Sequence, residues 1–250
     1  MNESFRPPRE PILNLPGAVT ALIAAFVVIH VITTMVLSED EAVEILLLFA
    51  FIPLRYAPEA IPAGFVFPGG PAADVWTFVS YAALHGSWAH LLVNALWLIA
   101  FGSAVEKRFG PVRFLLFSVV CAAAGAGLHL ATHVGDPVPV VGASAAISGL
   151  MAAATRFVFE IGGPLGALRA RGNWAFSQPA ASLAQVFSNP TALAFLGVWF
   201  ALNLFIGLAG GAVIGEAATI AWQAHIGGLV AGLLVFPLFD PVPRRRRDAA

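Results

Sequence analysis

Apolar side chains fill six stretches of the chain almost without interruption, at about 17–37, 89–105, 114–130, 145–159, 193–210 and 221–239. Crossing the hydrocarbon layer of a bilayer takes about 20 such residues, so each stretch predicts a spanning or nearly spanning helix. The region between the first two stretches differs. Pro53, Pro58, Pro62, Pro68, Gly69, Gly70 and Pro71 interrupt it, and each proline removes a backbone donor and crowds the preceding turn. Within it, residues 42–52 are apolar but short, and suit an interfacial or re-entrant helix. The pattern therefore predicts an all-α membrane protein with a tail at 1–15, a six-span domain at 16–240 and a second tail at 241–250. A partly embedded loop is expected at 38–80, and a mobile linker rich in Gly, Ala, Ser and Pro at 162–189. The first stretch is longer than a signal-peptide core and no small-residue cleavage site follows it, so it is expected to be retained as a span.

Composition agrees with that class: 59% of residues are hydrophobic and 11% charged, against about 25% charged in an ordinary soluble domain. The net charge of -1 gives no reason to expect a nucleic-acid partner, and the placement of charge says more. Arg6 and Arg9 precede the first span, Lys107, Arg108 and Arg113 lie between the second and third, Arg156, Arg169 and Arg171 follow the fourth, and Arg244 to Arg247 follow the sixth. Six spans put all of these on one side and leave only Arg55 on the other. Basic residues favour the cytoplasm, so both termini are expected there. Counting 42–52 as a seventh span would scatter the charges. Orientation and anionic headgroups account for the arginine tail. The chain has no strong internal repeat, which argues against an inverted-repeat transporter. Cys121 is the single cysteine, in an apolar run, and reads as a small buried hydrophobe.

Polar side chains inside such spans are costly, and each is a functional candidate by default. His90 and Asn94 are four apart and share a face near the start of the second span. They could offer two donors to one developing negative charge, or simply bond to nearby backbone. Ser144 sits in Val140-Val141-Gly142-Ala143-Ser144, at the mouth of a small-residue helix. It could be a helix N-cap, or a nucleophile whose oxyanion the helix N-terminus would favour. The G-x-S-x-G elbow is not met, since Ala146 stands at its last glycine. His225 lies beside Gly228 and Gly232, a spacing that lets two membrane helices approach closely. A neutral imidazole brought to Ser144 could serve as general base, and with no carboxylate nearby in sequence a Ser-His dyad is the expected form. His85 reads as a surface or loop-packing residue. His129 and His133 are also four apart, with Asp136 beyond, but the glutamate of H-E-x-x-H is missing, so a polar span end is expected and no metal.

Taken together, His85-x4-His90-x3-Asn94, then Phe101-Gly102-Ser103-Ala104-Val105-Glu106-Lys107-Arg108-Phe109-Gly110, then Gly142-Ala143-Ser144, then Ala224-His225-Ile226-Gly227-Gly228 resemble the rhomboid family of intramembrane serine proteases, over about 76–239. The resemblance implies a six-helix rhomboid-like bundle whose serine helix begins midway through the membrane. It implies Ser144 as nucleophile, His225 as general base, and His90, Asn94 and the Ser144 amide as the oxyanion site. Gly142 and Gly228 would be structural residues near the site, Gly228 letting the fourth and sixth spans touch, and Glu106 and Arg108 a structural pair. The loop before the last span would form a mobile cap. Three positions depart from the family pattern. Thr77 follows Trp76 where many members carry arginine, so the loop must be held otherwise. Ala145 replaces a glycine, placing a methyl beside the oxyanion site, and Ser148 replaces the aromatic on which the histidine ring packs.

The activity implied is cleavage of transmembrane protein substrates within the bilayer, without cofactor or metal, in a bacterial inner membrane. The rival is a non-catalytic rhomboid-like protein that binds or escorts membrane helices.

Overall fold

The computed structural model of the protein describes residues 15–166, 172–209 and 221–243. The described residues are nearly all helical and contain no β-strand beyond a single antiparallel bridge between Phe51 and Val140. The predicted N-terminal tail, the cap loop before the last span and the Arg244 to Arg247 tail lie largely outside them.

Helix α1 (Gly17–Val31) continues into a π-helical turn at Ile32–Val36, where the Thr33 and Thr34 hydroxyls bond back to the carbonyls of Ile29 and His30. After it, Ser38 opens α2 (Glu39–Phe49) with a capping box. The Ser38 amide and hydroxyl both donate to Glu41 and hold its carboxyl below the usual range. Pro53 then stops any continuation. Two 3-10 turns (Pro53–Tyr56 and Pro58–Ala60) lead to α3 (Gly70–Ser80), a short helix within the region predicted as loop.

The end of α2 shows how this loop is held without an arginine at position 77. A helix leaves its last carbonyls unpaired, and inside a bilayer no water can satisfy them. Here Leu47 O accepts from Arg55 Nη2 (2.6 Å), Leu48 O from Trp76 Nε1 (2.9 Å) and Phe49 O from Ser80 Oγ (2.7 Å). Arg55 also donates to Pro68 O (3.2 Å) and lies over the Phe67 ring. The guanidinium that breaks the charge pattern of the sequence is thus buried in the loop it fastens. Thr77 is also buried, bonded to Ala73 O and to the Tyr56 hydroxyl.

A second rod runs Trp88–Phe109, built from α4 (Trp88–Trp97), a π-helical turn (Leu98–Gly102) and α5 (Ser103–Phe109), four residues past the predicted end. The extra turn carries Glu106 and Arg108. Glu106 accepts from the amides of Ala18 (2.9 Å) and Val19 (2.8 Å), satisfying the free N-terminus of α1. Helix α6 (Pro111–Thr132) follows directly. The predicted fourth span is realised as α7 (Ser144–Thr155), whose 12 residues extend about 18 Å, too short to cross. Its residues from Ala145 to Thr155 are all buried, so neighbouring helices surround it rather than lipid.

Part of the predicted mobile linker proves to be pinned. It contains a 3-10 turn (Gly172–Ser177) and α8 (Leu183–Ser188), opened by a Ser182/Gln185 capping box. Arg108 Nη1 donates to Phe176 O and Gln178 O (2.8 and 2.7 Å), while its other nitrogens pair with Asp240 (2.8 and 2.9 Å). Arg156 donates to Ala181 O (2.7 Å). Then α9 (Pro190–Ala209) and α10 (Trp222–Phe239) complete the chain. Pro237 lies inside α10 and leaves Leu233 O without its helical donor. Arg156 Nη1 supplies one at 2.9 Å.

Among the described residues, Gly17–Val36, Trp88–Phe109, Pro111–Thr132 and Trp222–Phe239 are long and apolar enough to cross a membrane. Ser144–Thr155 and the stretch Pro190–Phe205 of α9 are apolar but shorter. At the centre, α6, α7 and α10 pack through glycines. A Cβ on Gly228 would overlap the Ala145 carbonyl, one on Gly232 would overlap Gly149, and one on Gly149 would overlap Cys121. The helices meet backbone to backbone.

Gly228→Val is therefore expected to destabilise the protein by about 1–3 kcal/mol or more, because the α7 backbone cannot yield as a side chain could. At Gly197 on α9 nothing lies within 4 Å of an added methyl, and Gly197→Ala should be neutral or gain up to about 1 kcal/mol. Thermal unfolding in detergent micelles checks the contrast.

Candidate active site

The loop that delivers Ser144 is tied down along its length. Leu54 N donates to Asp136 O (2.8 Å), Phe51 and Val140 exchange both backbone bonds (3.1 and 2.8 Å), and Gly142 N donates to Tyr81 O (3.0 Å). Tyr81 is itself buried and donates its hydroxyl to Ala122 O on α6 (2.9 Å). The predicted embedded loop thereby serves as the mould for the turn before α7.

Gly142 has φ +109°, open to glycine and strained for other residues. A Cβ there would stand 2.6 Å from the ring of His90 and 3.4 Å from Asn94 Nδ2. The missing side chain is what lets both residues of α4 reach the turn before Ser144. Asn94 is buried, and its Nδ2 has no hydrogen-bond partner among the described residues. An orphaned amide donor in a low-dielectric interior costs about 1–3 kcal/mol, so it marks a place where an acceptor is to be bound. His90 is half-buried, and its backbone amide is held by the Ser87 hydroxyl (3.1 Å).

Ser144 is the first residue of α7 rather than its N-cap; that position is Ala143, and no side chain caps the helix. The capping role open to this serine in the sequence is therefore not the one it plays. Its Oγ lies 2.7 Å from Nε2 of His225, the fourth residue of α10, across 81 residues of chain. The other ring nitrogen, Nδ1, contacts Oδ1 of Asn203 on α9. Asn203 Nδ2 in turn donates to Trp199 O one turn back (2.9 Å). Asn203 escaped the sequence reading although it carries the same signal as the others, an amide side chain within an apolar span.

The two departures in this helix are resolved structurally. The Ala145 methyl lies against α6, where a Cβ on Gly125 would overlap it. Ser148 is buried and bonds back to Ser144 O (2.7 Å), so no aromatic lies one turn below the catalytic candidate. Contact with Asn203 holds the His225 ring instead.

The other candidate histidines take packing roles. His85 is buried, not superficial, and packs against Phe26 (5.2 Å) and edge-on to His90 (5.3 Å between centroids). The rings of His129 and His133 stack at 4.4 Å, and Asp136 caps its own loop through Val138 N. They line a cavity of about 230 Å³ with Trp222 and Gln223, one turn from His225 along α10. A cavity of about 930 Å³ is lined by Arg156, Gln185 and Asp240 at the far end of α7, away from Ser144.

The chain is 40% identical over 58 residues to the rhomboid protease GlpG of Enterobacter sp. (strain 638), covering 22% of this chain and 21% of that protein. To the rhomboid protease GlpG of Haemophilus influenzae it is 37% identical over 51 residues, 20% of this chain and 27% of that one. To the rhomboid protease GluP of Bacillus subtilis (strain 168) it is 41% identical over 78 residues, 31% of this chain and 15% of that one. The matched stretches thus span between 15% and 27% of these relatives. The Rhomboid domain model matches residues 72–240, a range that contains His90, Asn94, Ser144, Asn203 and His225. With four helices among the described residues long and apolar enough to cross a bilayer and a family match over about two thirds of its length, the chain is an integral membrane protein and belongs to the rhomboid family.

Proposed function

We propose that the protein is an intramembrane serine endopeptidase that cleaves transmembrane segments of other membrane proteins. The observation that carries this is the 2.7 Å approach of Ser144 Oγ to His225 Nε2 beside the orphaned donor of Asn94. Neither a packing role nor a capping role for the serine accounts for both.

His225 Nε2 accepts the Ser144 hydroxyl proton as Oγ attacks the scissile carbonyl carbon. The tetrahedral oxygen that develops is stabilised by Asn94 Nδ2, by His90 and by the Ser144 amide, which is free because it opens α7. The His225 imidazolium then protonates the departing amine as the C–N bond breaks, leaving an acyl-enzyme on Ser144. Water, deprotonated by the same nitrogen, releases the carboxyl product. The chemistry needs no metal. The orientation has Arg6, Arg9 and the Arg244 to Arg247 tail in the cytoplasm and the 38–80 loop on the opposite face of a bacterial inner membrane.

A fluorophosphonate probe is expected to label the purified protein and to lose all labelling in Ser144→Ala. Persistent labelling in that variant would remove Ser144 as nucleophile. An unlabelled wild type that also cuts no member of a panel of model transmembrane segments would favour the helix-escort reading. His225→Ala should abolish cleavage with the fold retained by thermal unfolding, and undiminished turnover would count against it as base.

Asn94→Ala removes one donor from the developing oxyanion. It should lower kcat about 10²–10³-fold with little change in KM, as read from steady-state cleavage of any segment the wild type cuts.

A further inference from the structure

We propose that Asn203 on α9 is a positioning residue for the reaction: its amide oxygen holds His225 with the proton on Nδ1, so that Nε2 faces Ser144 as a proton acceptor. The inference rests on the reading of Ser144 as nucleophile and His225 as base.

The assignment follows from donor and acceptor capacity along one chain of contacts. Trp199 O is a backbone carbonyl and can only accept. The Asn203 side-chain atom 2.9 Å from it must therefore be the NH2, which donates. That fixes the amide and leaves Oδ1, which can only accept, directed at His225 Nδ1. Nδ1 must carry the ring proton. A neutral imidazole with its proton on Nδ1 has its lone pair on Nε2, and Nε2 is the atom 2.7 Å from Ser144 Oγ. Every step is forced once the carbonyl at the start is given. The sequence of contacts runs Trp199, Asn203, His225, Ser144, and it ends on the hydroxyl that must lose its proton.

Among the described residues, the remaining surroundings of His225 offer no substitute. Ser148, one turn below Ser144, is turned away and bonded to Ser144 O. Among the described residues, His90 is the other titratable group acting on the ring. Asn203 is half-buried on a helix whose neighbouring positions Ala201, Leu202 and Phe205 are exposed, so the amide is on the face of α9 turned to the bundle. The seating of α9 against α10 thereby sets the state of the base.

The test uses the full-length protein in detergent micelles and a fluorophosphonate whose labelling is followed over probe concentration, giving a maximal rate and a half-saturating concentration. Asn203→Leu keeps the side-chain volume and removes the acceptor. It is expected to lower the maximal labelling rate about 10²-fold with the half-saturating concentration changed less than about twofold. Asn203→Asp restores an acceptor and adds a charge that favours the imidazolium. It should recover most of the rate at high pH and move the acid limb of the pH profile to higher pH, since the base must then be deprotonated against that charge. Nitrogen-15 spectra of His225 in the wild-type protein should show Nδ1 protonated and Nε2 bare, a readout that depends on no variant folding. The proposal is overturned by a wild-type rate and pH profile in Asn203→Leu, or by the opposite tautomer in the wild type. It fails alone if Ser144→Ala and His225→Ala abolish labelling while Asn203→Leu does not impair it. If Ser144→Ala still labels, the reading beneath it falls, and this one with it.

Discussion

The contact on which the site depends is the backbone-to-backbone approach of α7 and α10. Gly228 abuts Ala145, and Gly232 abuts Gly149. Ala145 is the residue after Ser144, and Gly228 lies three residues, nearly one turn, after His225, on the same face of α10. The reacting pair therefore stands within one turn of the closest point between the two helices. Its spacing is inherited from rigid backbone rather than from the rotamers of intervening side chains. Without a hydrophobic force to press helices together in lipid, close packing of small residues is the available means of fixing such a distance. A larger residue at 228 would change the Ser144–His225 separation before it changed anything else.

The same bilayer that makes small residues useful makes free carbonyls expensive, and three buried arginines answer that constraint. Arg55 covers a carbonyl at the end of α2, Arg156 the one exposed by Pro237, and Arg108 two in the segment before α8. Each sits where the chain leaves regular helix, and each supplies donors to carbonyls that have no helical partner. Arg108 is also paired with Asp240. Breaking such a buried pair costs about 3–5 kcal/mol, so these links fix the ends of α5 and α10 relative to one another.

Much of this was legible in the chain, for physical reasons that also mark where it was not. Apolar runs located the helices because a helix that crosses lipid needs about 20 apolar residues in succession. The prolines at 53 and 58 announced the break that ends α2. His90, Asn94, Ser144 and His225 stood out because polar groups in apolar spans need a reason to be there. What spacing could not express was which carbonyls would be orphaned, and hence that Arg55, an exception to the charge pattern, would replace an arginine absent at Thr77. Nor could it show that the linker after α7 is fastened, since its Gly, Ser and Pro content resembles a flexible one and the clamps are long-range. The 12-residue length of α7 was hidden too, because Phe157, Val158 and Phe159 continue the apolar run past Arg156 after the helix has ended.

Asn203 shows why the site takes the form it does. A soluble hydrolase can orient its histidine with an aspartate, whose charge is offset by hydrogen bonds and nearby water. Placing an ionised carboxylate at the centre of a membrane helix costs about 2.5–3.5 kcal/mol even on the mildest scale. An amide presents the same acceptor geometry to Nδ1 without a net charge, and its second group is satisfied internally by the Trp199 carbonyl. Nothing is left unpaired. The loss is in the strength with which the imidazolium is stabilised, so more of the burden falls on the oxyanion side, where Asn94 Nδ2 is a buried donor. With Ser148 in place of an aromatic, ring orientation passes from stacking to a directional hydrogen bond, which specifies the tautomer as well as the plane.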